Sequence, residues 1–275
     1  MDAAALRTEM EQLGPWHHDI EIAPGLSTMN NRASGDPAKQ FKQHYSPETM
    51  MGQWLRNVYP EGLGGRSFLD CACNSGAHSI AAARLGAGRV FGFDAREHWV
   101  NQAKFLARAF EMPNVTFGCC ELKDLPGIQQ EAFDVTLFSG IFYHLPDPMA
   151  GLKIAADLTR ELLVVNTSVL PRRGKVLTAS SESATAVLSG VDGLAWMPSG
   201  PAVIQDILAW CGFPHTRIDM YWTPGFPKGW KRLQVLAARD PALFEHYDLK
   251  KPHAKAPPTL AHRLRRRVYK ALRRK

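Results

Sequence analysis

The sequence predicts an α/β fold: a doubly wound, mostly parallel seven-stranded sheet with an N-terminal lid and a basic C-terminal helix. Three observations carry this reading. From Ser67 onward, short apolar runs alternate with helical patterns of about 10–15 residues, the rhythm of strands joined by crossover helices. The first run, Ser67-Phe68-Leu69-Asp70-Cys71, breaks into small residues and resumes as a helix near Ala77. That arrangement turns backbone N–H groups and a helix N-terminus towards a ligand. Eighteen positions after Gly76 the second run ends in Asp94, and an acid at the end of the second strand is placed to hold ribose hydroxyls.

In chain order, Ala3 to Leu13 reads as a short amphipathic helix closed by Gly14-Pro15. Trp16 to Ile22 alternates and reads as a lid strand, its His17 and His18 either on the surface or in contact with substrate. Ser27 to Pro37 is rich in Asn, Ser, Gly and Asp and reads as a loop. Pro47 to Val58 carries Met50, Met51, Trp54, Leu55 and Val58 at helical spacing and stops at Pro60 and Gly62. Residues 1–60 make up the expected lid. Within 61–245 the expected elements are a helix over Ala77–Leu85, a strand over Arg89–Phe93 and a helix over Glu97–Ala109. Strands follow at Val115–Cys119 and Phe133–Phe138, then a helix from Met149 to Thr159 and a strand at Leu162–Asn166. Between Thr167 and Gly200 the rhythm breaks, and an insertion over the ligand face is expected. A helix (Pro201–Cys211) and strands His215–Trp222 and Leu233–Ala238 complete the sheet.

With 45% hydrophobic residues, 275 positions suffice for one sizeable core. No apolar run approaches the roughly 20 residues of a membrane span, and Met1 to Arg7 lacks a signal-peptide core, so a cytoplasmic location is expected. Cys71, Cys73, Cys119, Cys120 and Cys211 fit neither a disulfide framework nor a four-ligand zinc pattern. Most read as small buried hydrophobes, and no metal is expected. The net charge of +7 sits in the tail, where Lys250 to Lys275 holds eleven Lys and Arg and no acid. The rest carries 22 basic against 26 acidic residues, so basicity gives no reason to place nucleic acid in the main pocket. In the tail (246–275), Leu260, Leu264, Val268 and Leu272 recur every fourth residue among arginines. That is a basic amphipathic helix suited to an anionic membrane surface or to RNA, or else a solvated end.

Leu69-Asp70-x-x-Cys73-x-Ser75-Gly76, then Asp94, then Phe133-Asp134-Val135-Thr136-Leu137-Phe138, resembles the class I S-adenosylmethionine-dependent methyltransferases, whose sheet is Rossmann-like. The resemblance runs from about Gly65 to Thr167 and more weakly to Ala238. It implies S-adenosyl-L-methionine as cofactor, with Ala72, Asn74 and Gly76 cradling the methionine moiety. It places Asp94 on the ribose, Glu121 and Leu122 beside the adenine, and Asp70 and Ser139 in the donor set. Where the family usually has glycines, this chain has Ala72 and Asn74; Asn is the non-glycine residue that most readily adopts positive φ.

A narrower similarity lies in Phe138-Ser139-Gly140-Ile141-Phe142-Tyr143-His144 with Pro148, in Trp196-Met197-Pro198-Ser199, in Gly212-Phe213 and in Lys231 to Leu236. These are similar to the bacterial tRNA wobble-uridine carboxymethyltransferases, which use carboxy-S-adenosyl-L-methionine. The similarity implies Tyr143 and Arg232 as contacts for the extra carboxylate. A lysine in that family's longer N-terminal part has no counterpart here.

Methyl transfer requires an aligned in-line attack and, for a hydroxyl nucleophile, removal of a proton. Tyr143 and His144, at the end of the fourth strand, are the catalytic candidates, and His144 titrates in the range of a general base. The alternative is that His144 positions the following helix start, with Asp147 as N-cap and Pro148 at the first helical position. Trp196 reads as a core or lid aromatic or as a base-stacking platform. The Asn/Asp-Pro-Pro-Tyr pattern of amino-group methyltransferases is absent from the fourth strand. Expected is methyl transfer to an oxygen of a small-molecule or glycan-type acceptor. The alternatives are alkylation of a tRNA wobble uridine with the carboxylated donor, and a cofactor-binding module without catalysis.

Overall fold

The computed structural model describes residues 3–28, 47–186, 188–222 and 229–247. The tail helix and most of the Ser27–Pro37 loop lie outside the described residues. In chain order the elements are α1 (Ala3–Gln12), β1 (Glu21–Ala23), β2 (Leu26–Ser27), α2 (Pro47–Val58), β3 (Ser67–Cys71), α3 (Ala77–Arg84), β4 (Arg89–Asp94), α4 (Glu97–Ala109), β5 (Val115–Cys119), α5 (Leu125–Ile128) and β6 (Phe133–Ser139). Then come α6 (Pro148–Asp157), β7 (Thr159–Val169), β8 (Leu177–Ser181), β9 (Leu194–Pro198), α7 (Pro201–Trp210), β10 (His215–Trp222) and β11 (Lys231–Ala238).

Successive strand residues face opposite sides of a sheet, and here both sides are apolar, as a sheet covered by helices on both faces requires. Phe68, Val90 and Val164 join one core with Leu6 and Met10 of α1, Trp54 and Leu55 of α2, Ile80 of α3 and Ala103 of α4. Their neighbours Leu69, Phe91 and Val165 join the other, with Leu125 of α5, Leu152 of α6 and Ile204 of α7.

The seven strands lie in the order β10-β11-β7-β6-β3-β4-β5. Strands β3 to β7 are parallel, whereas β11 runs antiparallel between β7 and β10. The doubly wound, mostly parallel sheet is as expected; the reversed β11 had no sign in the sequence. From β3 the chain first builds outward to β4 and β5, then returns to β6 on the other side. The crevice at that switch point is where such sheets bind ligands.

Several boundaries differ from expectation, and three of the differences have a visible cause or partner. Helix α6 ends at Asp157 and β7 begins at Thr159, whose hydroxyl donates to Ala155 O (2.6 Å) and meets the Thr136 hydroxyl (2.7 Å). Strand β7 continues to Val169 because β11 pairs along it as far as Lys231. The alternating Trp16–Ile22 segment is strand only from Glu21; the chain just before it is held by α4, where Gln102 Nε2 donates to Leu13 O (2.6 Å) and Pro15 O (3.0 Å). Cys71, Cys73 and Cys211 are buried, but Cys119 is exposed because it ends the edge strand β5. Among the described residues, no helix is long and apolar enough to cross a membrane.

Candidate active site

A cavity of about 720 Å³ opens at the carboxyl ends of β3, β4 and β6, within the size range of small-molecule sites. Asp70, Ala72, Asn74, Asp94, Glu121, Leu122, Ser139, Tyr143, His144 and Arg232 all line it. Gly76 does not. A Cβ there would stand 2.8 Å from the Phe117 ring and 2.9 Å from Ala103 Cβ, so its lack of a side chain serves helix–sheet packing instead of a close approach to ligand.

The loop after β3 is a tight turn in which Ala72 (φ 55°), Asn74 (φ 52°) and Gly76 (φ 78°) are left-handed. Asn74 sustains this locally: its Oδ1 accepts the Ser75 N–H at 2.7 Å. Its own N–H donates to Asp94 Oδ2 (3.0 Å), while Asp94 Oδ1 accepts the Arg96 N–H (3.0 Å). Burial pushes the Asp94 carboxyl up, and these N–H groups oppose that rise. A carboxylate accepts about four hydrogen bonds, so Asp94 keeps capacity for ribose hydroxyls. The residues present therefore fit the nucleoside end of the implied donor. Below it, buried Asp70 accepts from Ser79 Oγ (2.7 Å), and burial pushes its carboxyl up to about 7. Glu121 is bridged by Lys123 at 2.6 Å.

At the opposite end, Tyr143 and His144 lie in a one-turn helix over Phe142–His144, anchored by buried Phe142. Asp147 does cap α6, accepting the Ala150 N–H at 3.0 Å, with Pro148 at the first helical position. His144 takes no part in that cap. Its Nδ1 lies 2.7 Å from Oε2 and 2.9 Å from Oε1 of Glu182, in the loop after β8. Burial lowers the His144 pKa and outweighs the carboxylate, which raises it. Arg232 donates to Tyr143 OH (3.1 Å), Ser168 Oγ (3.2 Å) and Asn166 Oδ1. Among the described residues no carboxylate pairs with it.

His17 and His18 also line the cavity, which favours the second of their two readings, a place at the site, over the surface of a lid strand. His18 Nδ1 is 3.0 Å from Ser75 Oγ, and its ring stands edge-on to His78, with centroids 6.1 Å apart. Burial holds His18 well below its ordinary pKa and, with Arg232 adding to it, brings His78 down to about 4. Trp196 lies outside the cavity, where its indole N–H donates to Pro146 O at 3.0 Å. The insertion folds as the β8–β9 hairpin, and residues Leu188–Asp192 of its loop form one wall. Glu182, Asn166 and His78 were missed as site residues. Only His78, inside the first motif, had a signal; Glu182 meets a partner 38 positions away.

Residues 64–194 match a family model described as a methyltransferase domain. The ubiquinone biosynthesis O-methyltransferase of Neisseria meningitidis serogroup C is 30% identical over 109 residues, 38% of this chain and 46% of that protein. The chain thus matches about half of that relative's length. The tRNA U34 carboxymethyltransferase of Alteromonas mediterranea is 33% identical over 104 residues, 36% of this chain and 31% of its own. Among solved structures, the N-terminal domain of EvdMO1 in the presence of SAH and D-fucose superposes with a TM-score of 0.69 at 20% identity, over 86% of this chain and 97% of that one. That likeness shows a shared fold. The domain match, the left-handed first loop and the buried acid ending β4 together support a class I S-adenosylmethionine-dependent methyltransferase.

Proposed function

We propose that the chain transfers a methyl group from S-adenosylmethionine to a hydroxyl of a small-molecule or glycan-type acceptor. The observation that carries this reading is His144, half-buried beside Glu182 and lining the same cavity as Asp94 and the first loop. When bound, the donor supplies a methyl group already activated by its sulfonium. The chain's residues then have two tasks. Asp94, Glu121, Leu122 and the Ala72–Asn74 turn hold the donor and fix the direction of the methyl. Tyr143 and His144 meet the acceptor, whose hydroxyl proton passes to the imidazole as the oxygen attacks. Burial lowers its pKa and so keeps that imidazole neutral, with a lone pair free to accept the proton, at pH 7. The relatives named ubiquinone biosynthesis O-methyltransferase support an oxygen acceptor, and the neighbour with D-fucose supports a sugar hydroxyl.

Calorimetry with S-adenosylmethionine and S-adenosylhomocysteine, followed by labelled-methyl transfer to panels of catechols and sugars, tests this reading. A chain that binds neither nucleoside would overturn it. One observation favours a second reading, carboxymethylation of a tRNA wobble uridine. Arg232, paired with neutral groups beside Tyr143, would satisfy a donor carboxylate with charge-assisted bonds. A strong calorimetric preference for carboxy-S-adenosylmethionine would promote this reading over the first. For the tail we propose contact with an anionic membrane surface. Equal binding to acidic vesicles by the full chain and by a chain ending at Pro257 would refute that contact, and binding to RNA instead would replace it.

A further inference from the structure

Glu182 enters the site from the insertion hairpin, remote in sequence from the one-turn helix that supplies His144. Their side chains are only 14% and 18% exposed. The Gly190 N–H lies 3.0 Å from Glu182 Oε1 and 3.1 Å from His144 Nδ1. One arrangement of protons suits all three groups. A bare Nδ1 would face the carboxylate's lone pairs at 2.7 Å, with the single Gly190 N–H shared between two acceptors. A protonated Nδ1 instead donates to Glu182, and the Gly190 N–H donates to Oε1. The imidazole lone pair is then on Nε2.

We propose that Glu182 is a positioning residue for methyl transfer: it fixes His144 as the Nδ1–H tautomer, leaves Nε2 as the proton acceptor, and makes the base depend on seating of the insertion hairpin. This inference rests on His144 being the general base. The seat is closely fitted. A Cβ on Gly190 would stand 2.5 Å from His144 O and 2.7 Å from Glu182 Oε1, so a side chain there would push the loop away. The hairpin is fastened on both sides of that seat. Trp196 of β9 binds Pro146 O, and the Arg96 guanidinium reaches Ala184 O (3.4 Å) and Ala186 O (3.3 Å). The charged and titratable groups facing His144 are Glu182 from the hairpin, Arg232 from β11, Arg96 before α4, and Tyr143, whose ring lies 4.2 Å away between centroids. Arg232 and Arg96 add to the lowering by burial, and Glu182 alone among the three charges raises the imidazole. Loss of its charge therefore lowers the titration further.

The test needs no acceptor. Long-range proton–nitrogen spectra of histidine-labelled full chain report tautomer and titration, with His144→Gln identifying the signal. The wild type is expected as Nδ1–H above its pKa. Glu182→Gln, nearly isosteric, should titrate about half a pH unit lower or more and gain the Nε2–H form. Gly190→Ala, with Glu182 intact, should shift the same way. S-adenosylhomocysteine affinity in Glu182→Gln should stay within about threefold of wild type. A His144 signal unchanged in Glu182→Gln, or a large loss of nucleoside affinity in that variant, overturns the proposal. Failure of wild-type chain to bind the nucleoside would instead strike the methyltransferase reading, and the tautomer result would stand apart from it.

Discussion

Replacing Asp94 separates the ribose end of the donor from the rest of the site. Asp94 is 8% exposed, and its carboxylate accepts two backbone N–H groups, from Asn74 and Arg96, each at 3.0 Å. Asp94→Ala removes hydrogen bonds from ribose hydroxyls to a charged acceptor, each contributing about 1.5–3 kcal/mol. It also leaves the loop's two N–H groups without their acceptor. At 1.36 kcal/mol per tenfold, one such ribose bond is worth roughly 10- to 150-fold in Kd. Asp94→Asn keeps one carbonyl oxygen and replaces the other with an amide that cannot accept. Affinity for S-adenosylhomocysteine should fall from wild type to Asn to Ala, as read by titration calorimetry, with thermal melts of both variants alongside. Because burial raises the Asp94 carboxyl, wild-type affinity should begin to fail, as pH drops, above the ordinary carboxylate range. An Ala variant that binds within about twofold of wild type would refute the placement of the ribose on Asp94.

Three further outcomes follow from individual residues. Gly76→Ala combines a left-handed φ of 78° with a Cβ 2.8 Å from Phe117, and should destabilise by about 2–4 kcal/mol in denaturant melts; a neutral change would show that Phe117 yields freely. For Asp70, whose carboxyl is raised to about 7, the folded state holds a proton that the unfolded state releases near pH 4. Wild-type stability therefore falls as pH rises from about 4 to about 7, and the advantage of Asp70→Asn should grow over that window, by up to about 4 kcal/mol. An advantage independent of pH would show that Asp70 is ionised throughout. His144→Gln should slow methyl transfer by about 10²- to 10⁴-fold with donor affinity retained. The wild-type rate should rise with pH through a pKa held below 6.5, and an acid limb above pH 7 would assign it to another group.

The local chemistry of the donor end was legible because it is contiguous. Strand, left-handed turn and helix follow one another from Ser67 to Arg84, and Asp94 ends the next strand, so one stretch of chain carries both the motif and its geometry. Asn74 shows how far this goes: its own side chain supports the turn that its type suggested. Gly76 shows the limit, since its reason is the Phe117 ring on β5, two strands from β3 in the sheet.

The sequence by itself determined the parallel α/β core, the turn after β3, the acid ending β4 and the cap of α6. Each depends on residue spacing and on hydrogen bonds closed within a few positions. Only the tertiary structure decided the reversal of β11, the placement of His18 and His78 in the cavity, and the partners of Arg232 and His144. Those depend on which strand edge is free and on side chains meeting across 38 to 89 positions. Contacts across such separations leave no periodic trace in the sequence, because their energy appears only once the chain has closed and water has been displaced.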